Sequence, residues 1–170
     1  MSNPYQKIMV TLDGSRFAEQ ALPHAQQLAS ALGAELILFQ ALPDTDVLLP
    51  NPRGYPTILH KENIDESVAN RPHSGLDMVE RDLENLAAKL RHRNLKVTCV
   101  VDAGPPSEKI INYLQHNDVD LLVMSTHGRS GVARAIFGSV AQEVFREAGC
   151  PILLVKAKSG SERLSKEKEG

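Results

Sequence analysis

The sequence predicts an α/β fold, a parallel sheet of five strands with helices on both faces, and three observations predict it. Short branched apolar runs alternate with helical periods along most of the chain. Of its 170 residues, 42% are hydrophobic and 24% charged, which fits one soluble domain with a sizeable core. A glycine-punctuated loop, Ser125 to Ser139, stands between an apolar run and a helical pattern, as phosphate-holding turns of such folds do.

Lys7 to Leu12 is a short apolar run that ends in the turn signal Asp13-Gly14-Ser15, and it reads as a buried strand. From Phe17 the apolar residues Ala18, Ala21, Leu22, Ala25, Leu28, Ala29 and Leu32 follow a helical period, and Gly33 stops that helix. Glu35 to Ala41 is the second strand. Between Pro43 and Pro72 the pattern fails: five prolines and scattered Asp and Asn describe a long loop, 43–72, with at most a short helical piece around Ile58 to Val68. Such a loop is either a tolerated surface insertion or a functional lid.

Periodicity resumes with Leu76, Val79, Leu83, Leu86, Ala87 and Leu90, an amphipathic helix. Val97 to Val101 is the third strand. Gly104-Pro105-Pro106 then opens a helix over Ser107 to Gln115, with Ile110, Ile111 and Leu114 on its core face. Asp120 to Met124 and Pro151 to Val155 are the fourth and fifth strands, with a helix from Val140 to Ala148 between them. The tail, 157–170, is rich in Lys, Ser, Glu and Gly and is expected to be disordered. Residues 1–156 are expected to form a single domain.

Composition excludes several functions. The net charge is −2 and no strongly basic stretch occurs outside the tail, which argues against nucleic acid as a partner. No run of about eighteen apolar residues suggests a membrane span, and the N-terminus lacks the apolar core of a signal peptide. Cys99 and Cys150 have no visible base and no metal-ligand spacing, so a reduced, cytoplasmic chain is the simplest reading. The six histidines show no metal-ligand spacing either. Neither the G-x-x-x-x-G-K-(S/T) loop nor a G-x-G-x-x-G turn after a strand is present. No catalytic residue is assigned.

Two strand ends carry suggestive residues: Thr11-Leu12-Asp13 after the first strand and Ser125 to Ser139 after the fourth. In open α/β sheets ligands bind beyond the carboxyl ends of strands, where the winding reverses. If these two strands are neighbours, both sequences line one crevice. Ser139-Val140-Ala141-Gln142 fits a capping box, which needs no ligand, yet the amides of Val140 and Ala141 stay available for an anion. Gly128, Gly131 and Gly138, spread over eleven positions, exceed what a helix cap requires. Asp13 reads equally as a turn carboxylate or as a ligand contact, accepting from a ribose or base or assisting a metal. Arg129 and Arg134 can balance phosphate charge, and equally can be ordinary surface arginines.

At these residues the chain resembles the universal stress protein family, over Gln6 to Lys156. The family's nucleotide-binding branch carries G-x2-G-x9-G-(S/T). Here Gly128, nine residues and Gly138-Ser139 match, with Ser125 at the first glycine, and Val10 to Ser15 and Gly104-Pro105-Pro106 look like two further family signatures. The resemblance implies a three-layer α/β/α, Rossmann-like fold of the adenine nucleotide alpha hydrolase type, with strand order 3-2-1-4-5. It places Thr11, Leu12, Asp13 and Ala41 at adenine and ribose, with Met124 and Ser125 beside the ribose. Gly128, Arg129, Gly138, Ser139, Val140 and Ala141 would then serve the phosphates. It further implies ATP as cofactor, with Mg2+ able to accompany the phosphates, and a homodimer formed through Ile152 to Val155. A cytoplasmic stress-response regulator follows. The alternatives are a dimeric interaction module that binds no nucleotide, and a slow ATP hydrolase or self-phosphorylating protein using Asp13, His127 or Ser139. Cyclic AMP is a further ligand within the nucleotide class.

Overall fold

The computed structural model describes residues 3–42, 46–50, 56–60, 75–126 and 138–157. In chain order the strands are β1 (Lys7–Leu12), β2 (Glu35–Leu42), β3 (Asp46–Pro50), β4 (Pro56–His60), β5 (Lys96–Ala103), β6 (Leu121–Ser125) and β7 (Ile152–Val155). The helices are α1 (Leu22–Leu32), α2 (Gly75–Arg91), α3 (Pro106–His116) and α4 (Ser139–Glu147), and a 3-10 turn, Ala18–Ala21, leads into α1. Five strands make one parallel sheet in the order β5-β2-β1-β6-β7. Counting only the strands of that sheet along the chain, this is 3-2-1-4-5, as the resemblance implied.

The apolar runs are near-continuous because both faces of the sheet are covered. Alternate residues of one strand therefore enter different cores. Ile8, Val10 and Leu12 of β1 join Leu36 and Leu38 of β2, and pack on Ala21, Ala25 and Ala29 together with Leu83, Ala87 and Leu90 of α2. Met9, Ile37, Phe39 and Ala41 point into the second core, which Ile110 of α3 and Ala141 and Val144 of α4 close. The alanine row lets α1 lie close to the sheet. Phe39 is fully buried, its ring 5.3 Å from that of Tyr113.

Local chemistry sets the boundaries. Pro23 stands in the first turn of α1, where a missing N–H costs nothing, and Gly33 ends the helix at φ +64°. At the amino edge of the sheet, Asp120 Oδ2 accepts hydrogen bonds from the N–H groups of Gln6 (2.7 Å) and Lys7 (2.8 Å). This carboxylate ties the start of β1 to the start of β6, so the two neighbours enter the sheet in register.

Within the segment expected to be a long loop with at most a short helical piece, residues 46–50 and 56–60 form a hairpin instead. β3 and β4 pair antiparallel, with Asp46 opposite His60, Leu48 opposite Ile58 and Pro50 opposite Pro56. Ile58–His60, placed at the head of a short helical piece by the sequence, is strand; residues 61–68 lie outside the described residues. Each proline sits at a terminal rung of the ladder, where a missing N–H is tolerated. The expected disorder of the tail concerns residues that, beyond Ala157, also lie outside those described.

Candidate functional site

β1 and β6 are direct neighbours, with Ile8 opposite Leu121 and Val10 opposite Val123. From β1 the chain winds to β2 and β5 on one side, and β6 and β7 lie on the other, so the reversal falls between β1 and β6. The two strand ends singled out from the sequence therefore flank one crevice.

On the β1 side, Thr11 and Leu12 are buried, each with 8% of its surface exposed. The half-buried Asp13 follows them. Asp13 Oδ1 accepts from the Ser15 N–H at 2.8 Å, and Ser15 Oγ accepts from the Ala18 N–H at 3.1 Å. Two short polar side chains thus turn the chain from β1 into the 3-10 helix. Gly14 makes this turn at φ +75°, where a Cβ is disfavoured. The turn reading of Asp13 is correct, and the turn leaves the residue at the carboxyl end of β1, beside β6. Ala41, on β2, is buried and pairs with Asp102 of β5.

On the β6 side, Met124 and Ser125 are buried and pair with Leu154 and Val155 of β7. The next residue, Thr126, is the hub of this end. Its N–H donates to Val155 O at 2.9 Å, and its carbonyl accepts from the Gly138 N–H at 2.7 Å. The last bond brings the start of α4 back onto the end of β6.

The cap of α4 corrects the sequence reading. Gly138, not Ser139, is the N-cap: its backbone is extended (φ −70°, ψ 160°), its carbonyl accepts from the Gln142 N–H at 2.9 Å, and no side chain caps the helix. Ser139 is the first helical residue, so the capping box with Gln142 does not form. The physical consequence is useful for a ligand. With no hydroxyl folded back onto the helix, the amides of Ser139, Val140 and Ala141 precede the first intrahelical bond, at the positive end of the helix dipole. Ser139 is exposed, Val140 half-buried and Ala141 buried. Of the remaining sequence-predicted residues, His127, Gly128, Arg129, Gly131 and Arg134 lie outside the described residues.

Sequence reasoning missed two residues of this edge. Gln40, in β2 and 8% exposed, pairs with Leu12; Thr126, 7% exposed, carries the backbone hub. The available signal was a lone amide within the apolar run Leu36 to Leu42, and a threonine two residues past the fourth apolar run.

The cysteines stand apart. Cys99, within β5, points its thiol at Leu83 O (3.5 Å), and burial, followed by the Glu84 carboxylate, pushes its pKa up to about 11. Burial also raises that of Cys150. A raised pKa disfavours the thiolate, the nucleophilic form, in both. Among the described residues no group of three or more His, Cys, Asp or Glu could hold a metal ion, and no helix is long and apolar enough to cross a membrane. An open groove of about 530 Å³ between α1 and the α2–β5 turn, lined by Pro23, Gln26, Ser30, Arg93 and Leu95, contains none of the site residues.

The chain is 29% identical over 154 residues to the universal stress protein MJ0531 of Methanocaldococcus jannaschii, covering 91% of this chain and 84% of that one. The solved structure of MJ0577, a universal stress protein of the same organism, superposes with a TM-score of 0.72 at 24% identity, over 92% of this chain and 99% of that one. A universal stress protein crystallised in complex with cAMP superposes at 0.62 and 22% identity, over 91% and 98%. The model of the universal stress protein family matches residues 4–156, nine-tenths of the sequence and all of the sheet and crevice just described, and the chain belongs to that family.

Proposed function

We propose that this protein binds an adenine nucleotide, ATP in the first place, in the β1–β6 crevice and acts as a cytoplasmic stress-response regulator rather than as an efficient enzyme. The observation that carries the reading is the Gly138–Thr126 hydrogen bond of 2.7 Å, which sets the uncapped start of α4 against the strand ends. Backbone N–H groups there suit a phosphate, and a glycine N-cap lets an anion approach the main chain. Gly138, Ser139, Val140 and Ala141, with Gly128 and Arg129 from the intervening loop, hold the phosphates. Met124 and Ser125 flank the ribose, Asp13 accepts hydrogen bonds from its hydroxyls, and Thr11, Leu12 and Ala41 back the base.

Asp13 is the carboxylate that the described residues bring to the crevice, and one of its oxygens already holds the Ser15 N–H. That donor set suits a magnesium ion carried in by the phosphates rather than a metal site of the protein itself. The cAMP complex of a family member with the same fold supports an adenine nucleotide as the ligand class. β7, an outer strand of four half-buried apolar residues, supports assembly into a homodimer through Ile152 to Val155.

The test is direct. Native mass spectrometry of freshly purified protein should show co-purifying adenine nucleotide, or millimolar ATP with magnesium should raise the melting temperature. Gly138→Val should abolish that shift, because a branched side chain then occupies the phosphate approach, while circular dichroism stays native. Normal ATP binding by Gly138→Val would refute the loop assignment, and absence of both nucleotide and thermal shift in the wild type would refute the function.

A further inference from the structure

We propose that Gln40 reads the base of the bound nucleotide, its side-chain amide exchanging hydrogen bonds with the 6-amino group and an adjacent ring nitrogen of adenine; this rests on the adenine-nucleotide reading above. Gln40 interrupts the apolar run of β2, paired with Leu12 on one side and Val101 on the other. More than nine-tenths of its surface is buried. Its amide lies beneath the β1–α1 turn, with Nε2 3.8 Å from where a Cβ on Gly14 would stand.

A buried amide costs free energy unless both its donor and its acceptor are paired. Among the described residues the Gln40 side chain has no hydrogen-bond partner, in contrast to Asp13, Ser125 and Thr126 at the same edge. A strand position between Phe39 and Ala41 accepts Leu or Val without this cost. An amide there is explained by a ligand that completes it.

The sheet order identifies which part of the ligand that is. Phosphates at the start of α4 sit over the end of β6, and the sheet continues to β1 and then to β2. Neighbouring strands lie about 4.8 Å apart, so the end of β2 is roughly 10 Å from that of β6. A nucleotide laid across the crevice therefore puts its ribose over β1, at Asp13, and its base over the end of β2. Gln40 presents one acceptor oxygen and one NH2 donor in a single plane. Adenine offers the complementary pair, an amino donor beside a ring-nitrogen acceptor. A base without the amino group leaves Oε1 buried and unpaired, and a site of this kind rejects such analogues more strongly than an apolar pocket can.

The experiment titrates ATP and purine riboside 5′-triphosphate, which lacks only the 6-amino group, into the wild type and Gln40→Leu, and records melting curves of both ligand-free proteins. The wild type should bind ATP about tenfold more tightly than the analogue, the effect of one hydrogen bond left unmade. In Gln40→Leu that difference should vanish, while the ligand-free melting temperature holds or rises because a buried unpaired amide has been removed. Should Gln40→Leu fail to fold, the near-isosteric Gln40→Met carries the same comparison. A wild type that binds ATP while Gln40→Leu keeps the tenfold preference overturns the role of Gln40 and leaves nucleotide binding standing. A sharp drop in ligand-free melting temperature in both variants also overturns it, since the amide would then serve the fold. A wild type that binds neither triphosphate overturns the nucleotide reading itself.

Discussion

At Gly104 the backbone takes φ +135°, a conformation that side-chain-bearing residues rarely adopt, and its N–H donates to Leu42 O at 2.9 Å. That bond holds the carboxyl ends of β5 and β2 together at the edge that bears the site. A Cβ would also stand 2.5 Å from Lys109 Cε, and the lysine reaches Asp102 at 3.2 Å. The lysine tip can move aside; the backbone angle cannot relax as cheaply. Gly104→Ala should therefore cost about 1–3 kcal/mol, seen as a lower urea midpoint with an unchanged m-value. A second residue-scale prediction concerns Cys99. Its thiol has an ordinary value of 9.0 and is raised to about 11 by burial, so the folded protein keeps the proton when the unfolded chain has lost it. The thiol favours the fold fully below pH 9, and that contribution is lost as pH rises from about 9 through 11. Cys99→Ser should flatten the alkaline limb of a stability-versus-pH curve, and an unchanged limb would show that other groups govern it. At this scale the sequence was legible where chemistry is local. Asp13-Gly14-Ser15 is a turn and Gly33 a helix stop because the bonds concerned link residues two to four positions apart. The exchange of cap between Ser139 and Gly138 was not legible, since the long-range bond to Thr126 decides it.

Among the elements, β2 has most at stake. It lies between β1 and β5, contributes to both cores and supplies Phe39, fully buried against Tyr113. Phe39→Ala removes that ring from a close-packed interior and should cost about 3–5 kcal/mol, measured by denaturant unfolding; a loss below 1 kcal/mol would mean that the second core collapses around the void. The five strands of the sheet and the four helices of the described residues are readable because each carries a periodic apolar face, and β2 is recovered to within one residue. The hairpin β3–β4 is the counter-case. Its strands have five residues each, begin or end in proline, and lie in a segment otherwise full of turn formers. What makes them strands is the pairing of residues about ten positions apart, which no single-strand pattern displays. Gln40 escaped for a related reason: that a strand end is buried, and beneath which turn, is fixed only once the sheet is assembled.

For the whole molecule, assembly turns on one edge. β7 is the outermost strand, and its four residues are apolar yet only half-buried. Leu122 N–H donates to Pro151 O and Thr126 N–H to Val155 O, so the polar backbone groups of 151, 153 and 155 face β6. Alternation leaves the N–H and C=O of Ile152 and Leu154 on the outer side, where a second copy can continue the ladder. Among the described residues no strand pairs with that side, and a strand copy added there covers its backbone groups and the remaining exposed surface of the side chains. Leu154→Pro deletes one outward N–H and none of the bonds to β6, so it should convert the proposed dimer to monomer in light scattering while circular dichroism stays native. Leu154→Ala is the control, losing comparable packing but keeping the N–H, and should remain dimeric at micromolar concentration. A dimer that survives in Leu154→Pro would place the interface elsewhere, and a monomeric wild type would leave β7 a bare edge. Because Thr126 bonds both Val155 and Gly138, the strand at that edge and the phosphate end of the crevice share one residue. Leu154→Pro should consequently also weaken ATP binding, by about the factor of a few that loosening one backbone contact implies. A monomeric variant with unchanged ATP affinity would show that site and interface act independently.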